Sequence, residues 1–305
     1  MLAEAVAVIG LGSMGLGMAQ SLLRAGAQVA GCDVNPETVT RLRDAGGRGA
    51  ANPAEAARGA GVVLVVVVNA AQTAAVLFGP DGAVAAMAPG GVVVSSATMS
   101  PQEARGLAAQ CAAAGVHYLD APMSGGATRA AEGALTFMAS GSKEAFARAR
   151  PVLDAVARTV YELGDEAGIG ASFKIVNQLL AGVHIAAACE AITLAKRLDL
   201  DLARVYEVIT ASAGNSWMFE NRIPHVLEGD YAPRSAVDIF TKDLGIVSDI
   251  GRQNRFPMPI AASALQMFLM TAAAGMGRDD DASVARLIAQ ITGLELPGME
   301  KAAST

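Results

Sequence analysis

A glycine-rich turn between an apolar strand and a helix restricts the first part of this chain to very few folds. The apolar segment Ala5–Ile9 runs directly into this turn, and a helical pattern then continues to about Ala25. In such a turn one glycine permits the tight bend, one lets the backbone approach a diphosphate, and one lets helix and strand pack closely. The N–H groups at the helix start attract the anion. We expect the dinucleotide to contact all six residues of the turn, Gly10-Leu11-Gly12-Ser13-Met14-Gly15.

A carboxylate at the end of the second predicted strand indicates which dinucleotide binds. The strand Gln28–Cys32 ends in Asp33, 18 residues beyond Gly15. At that place a carboxylate can accept hydrogen bonds from both ribose hydroxyls of an adenosine. A 2′-phosphate would meet like charge there, and no Arg follows in the next three positions, 34–36. The sequence therefore predicts NAD rather than NADP as the cofactor.

Composition and charge limit the class of partner. The 305 residues are 52% hydrophobic but only 4% aromatic, and the net charge is −6. Because no cluster of Lys or Arg is present, nucleic acid and anionic membranes are not expected as partners. The most apolar run, Val62–Val68, is too short to cross a bilayer and predicts a buried parallel strand. The three cysteines are scattered and the histidines lack ligand spacing, so we expect a cytoplasmic protein without a metal site.

The secondary-structure pattern divides the chain into two parts. Up to residue 165 strands and helices alternate, which predicts an α/β Rossmann domain with a doubly wound, mostly parallel sheet. From about Gly170 to Arg197 a single long helix is expected, and everything beyond it is helical in pattern. We therefore predict an NAD-binding domain over residues 1–165 and an all-α domain over residues 166–305 for substrate binding and oligomerisation. The strands expected to complete the sheet are His117–Ala121, Leu135–Ala139 and Thr159–Leu163.

Two segments carry polar groups that could bind or activate a substrate. The loop Asp120–Gly126 follows a strand and could present a hydroxyl and bare N–H groups to a carboxylate, although an ordinary glycine-rich turn has the same pattern. Lys174 lies in an otherwise apolar helix, with Asn177 and Gln178 at i+3 and i+4 on the same face. Burial lowers the pKa of an amine and lets it exchange a proton near neutrality. The alternative is a lysine that extends along the surface to solvent.

Two further segments in the second part contain residues that could contact a ligand. Residues 215–221 include the only Trp of the chain, Trp217, between polar groups in what is predicted to be a loop. That setting is more typical of a ligand wall than of a core. Residues 238–244 contain Phe240, Lys242 and Asp243, and this pair of charges could also be a solvated helix face.

These segments, in this order, resemble the β-hydroxyacid dehydrogenase family, to which 3-hydroxyisobutyrate dehydrogenase belongs. The family's Gly-Leu-Gly-x-Met-Gly matches residues 10–15, and its Asp-Ala-Pro-Val-Ser-Gly-Gly matches residues 120–126 with Met123 in place of Val. Its Lys-x-x-Asn element matches Lys174 and Asn177. The resemblance covers nearly the whole chain. It implies an N-terminal Rossmann domain, a long inter-domain helix, and an all-α domain that completes the site and a homodimer or homotetramer.

The resemblance also implies a role for each matching residue around the substrate. Lys174 would be the general acid and base of the reaction. Asn177 and Gln178 would orient the substrate or that lysine, and Trp217 and Phe240 would line the substrate site. The substrate carboxylate would be held by Ser124, Gly125 and Gly126.

On the cofactor side the resemblance implies four more contacts. Thr98 resembles the threonine near the nicotinamide ribose, and Lys242 would reach the cofactor from the second domain. Val68 and Asn69 lie on the loop that lines the same half of the cofactor.

The implied activity is reversible hydride transfer between NAD and a small hydroxy acid. Within the family, residues 177–186 and 215–222 favour L-threonate as the substrate. Tartronate semialdehyde and 3-hydroxyisobutyrate are alternative substrates for the same chemistry. A non-catalytic dinucleotide-binding scaffold is the alternative from another class, and it is expected to lack the lysine and to carry basic appendages.

Overall fold

The chain divides into two units, and one long helix runs from the first into the second. The computed structural model describes residues 4–299. The units are Met1–Ile175 and Val176–Thr305. The division therefore falls inside the long helix, ten residues beyond the boundary expected from the sequence.

A six-stranded parallel sheet forms the centre of the first unit. Its strand order is β3-β2-β1-β4-β5-β6. The strands β4 and β5 are buried along their whole length, as expected of parallel strands covered on both faces by helices. The order reverses between β1 and β4, and ligands of such sheets bind at the carboxyl ends of the strands on either side of that reversal. The strands are β1 (Ala5–Ile9), β2 (Gln28–Cys32), β3 (Arg48–Gly49), β4 (Val62–Val65), β5 (Val92–Ser95) and β6 (His117–Asp120).

Within the described residues, seven helices before the long one pack around these strands, and most begin at a side-chain cap. Asn35, Asn52 and Ser142 each accept a hydrogen bond from a backbone N–H of the first turn. Ser100 and Glu103 form a reciprocal capping box at the start of α5. The expected doubly wound fold is confirmed. The helices are α1 (Ser13–Arg24), α2 (Pro36–Asp44), α3 (Pro53–Ala57), α4 (Ala70–Phe78), α5 (Pro101–Ala113), α6 (Gly126–Glu132) and α7 (Lys143–Val156).

The last strands of the first unit form a separate sheet, so the expectation of one continuous sheet is wrong at this end. The strands β7 (Met123–Ser124), β8 (Leu135–Ala139) and β9 (Ala157–Glu162) have the order β7-β8-β9, with β7 antiparallel to β8. Ala121 N still donates to Ser95 O of β5, but the next residue, Pro122, has no N–H to continue the ladder. Its carbonyl oxygen accepts a hydrogen bond from Met138 N of β8 instead.

The strand β4 is also shorter than expected. It ends at Val65 rather than Val68, although Val66 N still donates to Ile9 O of β1. Beyond that bond the chain leaves the sheet to place Asn69 as the N-cap of α4.

The second unit consists of helices around one apolar core. That core includes Ile185, Cys189, Phe268 and Ala285, all fully buried. One sequence interpretation is wrong here: Trp217 begins a helix whose N-cap is Ser216, rather than lying in a loop. The Trp217 side chain is 46% exposed and lies outside the core. The helices are α8 (Ile169–Arg197), which starts in the first unit, α9 (Leu202–Thr210), α10 (Trp217–Glu228), α11 (Val237–Gln253), α12 (Pro259–Thr271) and α13 (Val284–Thr292).

Two helical segments are long and apolar enough to cross a membrane by length and composition alone. They are Ile169–Arg197 and Pro259–Met276. Both supply core residues of the second unit, Ile185 and Ile192 from the first segment and Phe268 from the second. Core helices of globular proteins reach the same hydropathy because their apolar face is buried.

A cluster of buried charges connects α10 to the segment before α13. Arg222 donates two hydrogen bonds to Asp281, from Nε at 2.6 Å and from Nη2 at 3.0 Å. The Asp281 side chain is completely buried. The neighbouring Asp280 accepts from His225, whose other ring nitrogen faces Arg234. Each buried charge here has a direct partner of opposite charge or a hydrogen bond.

Replacing Arg222 by leucine should strongly destabilise the second unit. The change leaves the Asp281 carboxylate buried without its partner, which typically costs about 3–5 kcal/mol. Urea unfolding followed by circular dichroism would measure the loss. The matched control is Arg204→Leu, because Arg204 pairs with Glu207 on the surface with both side chains mostly exposed. That change should alter the free energy of unfolding by less than about 1 kcal/mol. Equal losses in the two variants would contradict the prediction.

Candidate active site

The glycine-rich turn has the shape that a bound dinucleotide requires. A Cβ at Gly15 would overlap the carbonyl oxygen of Gly10, so only glycine lets α1 start this close to β1. By contrast, a Cβ at Gly12 would meet no atom within 4 Å. Gly12 is the N-cap of α1, and no side chain caps this helix. The first-turn N–H groups are therefore available to a diphosphate, and the turn fits the cofactor.

The carboxylate of Asp33 is held at the end of β2 by backbone N–H groups. Leu11 N, from the glycine-rich turn, donates to Oδ2 at 2.6 Å, and Asn35 N donates to Oδ1 at 2.8 Å. A carboxylate oxygen has more than one lone pair, so both oxygens can still accept from ribose hydroxyls. The next side chain, Val34, is fully exposed and adds no positive charge.

The remaining cofactor-side candidates of the first unit lie at the same edge of the sheet. Val68 and Asn69 follow β4, and Thr98 follows β5. Asn69 Oδ1 accepts from Gln72 N at 2.8 Å and caps α4, whereas the Val68 side chain is 46% exposed. Since the turn after β1 lies at this edge too, the structure brings these residues to the side where a ligand of this fold binds.

The loop after β6 presents small residues beside a buried lysine. Ser124 ends β7, and Gly125 and Gly126 have φ values of +140° and +74°, which disfavour any side chain. Lys174 lies on α8 and is only 8% exposed, so it does not extend into solvent. Its Nζ donates to the carbonyl oxygen of Met123 at 2.7 Å. This arrangement places an amine directly beside the loop that has the N–H groups and the hydroxyl.

In the second unit three predicted residues, Asn177, Gln178 and Lys242, are joined in one polar chain through the buried Asp243. Asn177 Nδ2 donates to Gln178 Oε1 at 2.8 Å, and Gln178 Nε2 donates to Asp243 Oδ2. The other Asp243 oxygen pairs with Lys242 Nζ at 2.5 Å. Asp243 is 1% exposed, so the alternative of a solvated helix face is wrong for this residue. Sequence reasoning named Asp243 but gave it no role, although an acid in the apolar pattern of α11 was a usable signal.

The two aromatic candidates of the second unit have different environments. Phe240 is 3% exposed and stacks on Phe268 with ring centroids 5.1 Å apart, so it packs in the core. Trp217 is nearly half exposed at the start of α10. Between residues 4 and 299 no group of three or more His, Cys, Asp or Glu is arranged to hold a metal ion.

Both units of the chain match the sequences of known protein families. The NAD binding domain of 6-phosphogluconate dehydrogenase matches residues 5–164. The NAD-binding domain of NADP-dependent 3-hydroxyisobutyrate dehydrogenase matches residues 168–288. The chain belongs to the β-hydroxyacid dehydrogenase family. As a member of this family it is an NAD-dependent hydroxyacid dehydrogenase.

Individual members of the family are similar to this chain over nearly its whole length. L-threonate dehydrogenase of Cupriavidus necator is 56% identical over 293 residues, which cover 96% of this chain and 98% of that protein. L-threonate dehydrogenase of Escherichia coli K12 is 49% identical and covers 96% of each chain. The crystal structure of 3-hydroxyisobutyrate dehydrogenase from Salmonella typhimurium is 51% identical, with a TM-score of 0.88. It covers 92% of this chain and 99% of its own.

Replacing Asp33 by alanine should narrow the preference of this dehydrogenase for NAD over NADP. The change removes the acceptor for the ribose hydroxyls and the negative charge that repels a 2′-phosphate. Hydrogen bonds to a charged group contribute about 1.5–3 kcal/mol, so the ratio of kcat/KM values should fall about 10- to 100-fold. Glu37→Ala is the control, because Glu37 is an exposed carboxylate in the first turn of α2. An unchanged ratio of kcat/KM values in Asp33→Ala would mean that another residue distinguishes the ribose of NAD from that of NADP.

Proposed function

We propose that this chain oxidises L-threonate with NAD, and that Lys174 is the general acid and base. Two observations support the proposal. Relatives named L-threonate dehydrogenase are 49–56% identical over at least 96% of this chain. The buried Lys174 amine lies against the Met123 carbonyl, beside the loop proposed to bind the substrate. The position of this amine is the single structural observation on which the mechanism depends.

In the direction of oxidation Lys174 takes the proton of the substrate hydroxyl. The neutral amine donates one N–H to Met123 O, which turns its lone pair away from that carbonyl. The lone pair takes the proton of the substrate hydroxyl as its C–O bond becomes a carbonyl. Bound NAD supplies the acceptor for the hydride that leaves the carbinol carbon. In reduction the Lys174 ammonium returns the proton to the oxygen, so the step is reversible.

The substrate carboxylate is proposed to bind at the loop after β6. The Ser124 hydroxyl and the N–H groups of Gly125 and Gly126 are the proposed donors, and both glycines have a positive φ. On α8, Asn177 follows Lys174 by one helical turn and is proposed to bind the substrate hydroxyls. Gln178 holds Asn177 in place through its own bond to Asp243.

The remaining candidates complete the proposed site. Thr98, Val68 and Asn69 would hold the nicotinamide half of the cofactor, and Lys242 is proposed as a further cofactor residue. Trp217 and Phe240 are the side chains of the second unit that would line the substrate site.

The exposed apolar side chains of the long helices support a homodimer or homotetramer as the working form. Val176, Leu180 and Leu194 of α8 and Ile260 of α12 are each about half exposed or more. We further propose that the enzyme works in the cytoplasm, with a Rossmann domain over residues 1–165 and a substrate and oligomerisation domain beyond it.

Lys174→Ala should nearly abolish turnover while leaving NAD binding intact. General acid–base catalysis is typically worth about 100- to 10,000-fold in rate, and kcat should fall within that range. Stopped-flow absorbance of NADH would give the rate, and quenching of protein fluorescence would give the cofactor affinity. The control is Lys196→Ala, an exposed lysine in the last turn of the same helix. Near-normal turnover in Lys174→Ala would refute the assignment.

A substrate panel tests the specificity. NADH formation should be fastest with L-threonate and slower with D-threonate, D-erythronate, D-glycerate and 3-hydroxyisobutyrate. A parallel series with NADP should be weaker throughout. Selective activity on 3-hydroxyisobutyrate or D-glycerate would keep the reaction class and overturn the proposed substrate. A chain that binds NADH without oxidising any hydroxy acid would instead behave as a dinucleotide-binding scaffold.

A further inference from the structure

The long helix α8 has an unusual start, because its N-cap bonds come from residues distant in sequence. Gly168 N and Ala171 N both donate to Asp120 Oδ2 at 2.8 Å. Gly170 N donates to Ser140 Oγ at 2.9 Å. Other helices of this chain, such as those that begin after Ser100 and Asp201, are capped by their own preceding residue. The start of α8 is therefore fixed to the end of β6 and not only to its own loop.

The same two residues are also joined to each other through the backbone. Asp120 N donates to Ser140 O at 3.0 Å, and Ser140 N donates to Asp120 O at 2.8 Å. Both side chains are almost completely buried. Gly170 packs so closely that a Cβ there would overlap the carbonyl oxygens of Met138 and Asp120. The first turn of α8 consequently has little freedom to shift or rotate.

This fixed turn determines where the Lys174 amine lies. Lys174 follows Ala171 by three residues and Gly170 by four, so all three lie on one face of the helix. The partner of its amine, the Met123 carbonyl, is three residues after Asp120 on the same loop. Asp120 thus anchors both the loop that accepts the lysine hydrogen bond and the helix that carries the lysine.

The buried position of Asp120 is offset in part by its hydrogen bonds. Burial raises the pKa of its carboxyl above the usual value, and the N–H groups of Ala171 and Gly168, the Ser140 hydroxyl and the charge of Arg105 oppose that rise. A carboxylate at a helix N-terminus is also stabilised by the helix dipole, here that of a 29-residue helix.

We propose that Asp120, with Ser140, is a positioning residue for the reaction: it caps α8 and thereby holds the Lys174 amine at the Met123 carbonyl. Asp120 does not itself touch the substrate in this proposal. The inference rests on the proposed role of Lys174. A displacement of a catalytic group by about 1 Å costs on the order of 100-fold in rate. Loss of the cap should therefore lower kcat far more than it alters substrate or cofactor binding.

The test compares Asp120→Ala with Asp120→Asn, which retains an oxygen that can accept both N–H bonds. Asp120→Ala should lose on the order of 100-fold in kcat, with KM for L-threonate and NADH affinity changed less than about threefold. Asp120→Asn should recover most of the lost kcat.

Asp201→Ala is the control, since Asp201 caps α9 in the second unit, and the kcat of this variant should match that of the unchanged chain. If Asp120→Ala does not fold, Ser140→Ala takes its place, with a smaller loss in kcat and the same unchanged affinities.

A double variant separates positioning through Lys174 from an independent effect. In the Lys174→Ala background, Asp120→Ala should cause no further loss of the residual turnover, because the group that it positions is gone. An equal loss in both backgrounds, or wild-type kcat in Asp120→Ala, would overturn the positioning role while leaving Lys174 as the acid and base. Near-normal turnover in Lys174→Ala alone would refute the proposed mechanism and the positioning role with it.

Discussion

The close approach of the start of α1 to the end of β1 is the contact on which the cofactor side of this molecule depends. It is possible only because Gly15 has no Cβ to overlap the carbonyl oxygen of Gly10. With α1 held there, its uncapped first turn faces the carboxyl edge of the sheet. The backbone of Leu11 then bonds to Asp33, so the diphosphate turn and the ribose acceptor form one unit. Leu11 and Asp33 are 22 positions apart in the sequence. The close packing of α1 against β1 thus places both of them.

Much of the first unit could be predicted because its signals are local. Glycine spacing, continuous apolar strands and side-chain caps each depend on a few neighbouring residues, and they gave the Rossmann fold and its cofactor. The prediction failed where pairing is decided by distant partners. A period-2 pattern over Leu135–Ala139 identifies a strand but does not say which sheet it joins. That choice depends on Pro122, which ends the ladder of β6 and whose carbonyl oxygen accepts a hydrogen bond from Met138 N. Likewise, polar residues around Trp217 suggested a loop, although Ser216 is a helix cap.

The sequence identifies the candidate side chains by their residue type, but it does not identify their hydrogen-bond partners. Lys174, Asn177 and Gln178 stand out as polar residues in an apolar helix, and the resemblance to a family assigns them roles. Their bonds to Met123 and Asp243 join residues 51 and 65 positions apart, for which one sequence has no local signal. Asp120 is the same case: within its motif it is only the last residue of a strand. Its bonds to the start of α8 appear only in three dimensions.

In the polar chain of the second unit the hydrogen bonds from Asn177 to Gln178 and from Gln178 to Asp243 run in one direction, and that direction bears on the choice of substrate. One oxygen of Asp243 pairs with Lys242 and the other accepts from Gln178 Nε2, so Gln178 presents its Oε1 to Asn177. Asn177 therefore gives one N–H to Gln178 and keeps its carbonyl oxygen and a second N–H for other partners. A substrate hydroxyl can donate to that oxygen and accept from that N–H, whereas a methyl group can do neither. Sites built to bind a hydroxyl reject analogues that lack it far more strongly than apolar pockets reject an added one. At the proposed site a polyhydroxy acid such as L-threonate would satisfy this amide, whereas 3-hydroxyisobutyrate, with a methyl group in place of a hydroxyl, would leave it unpaired.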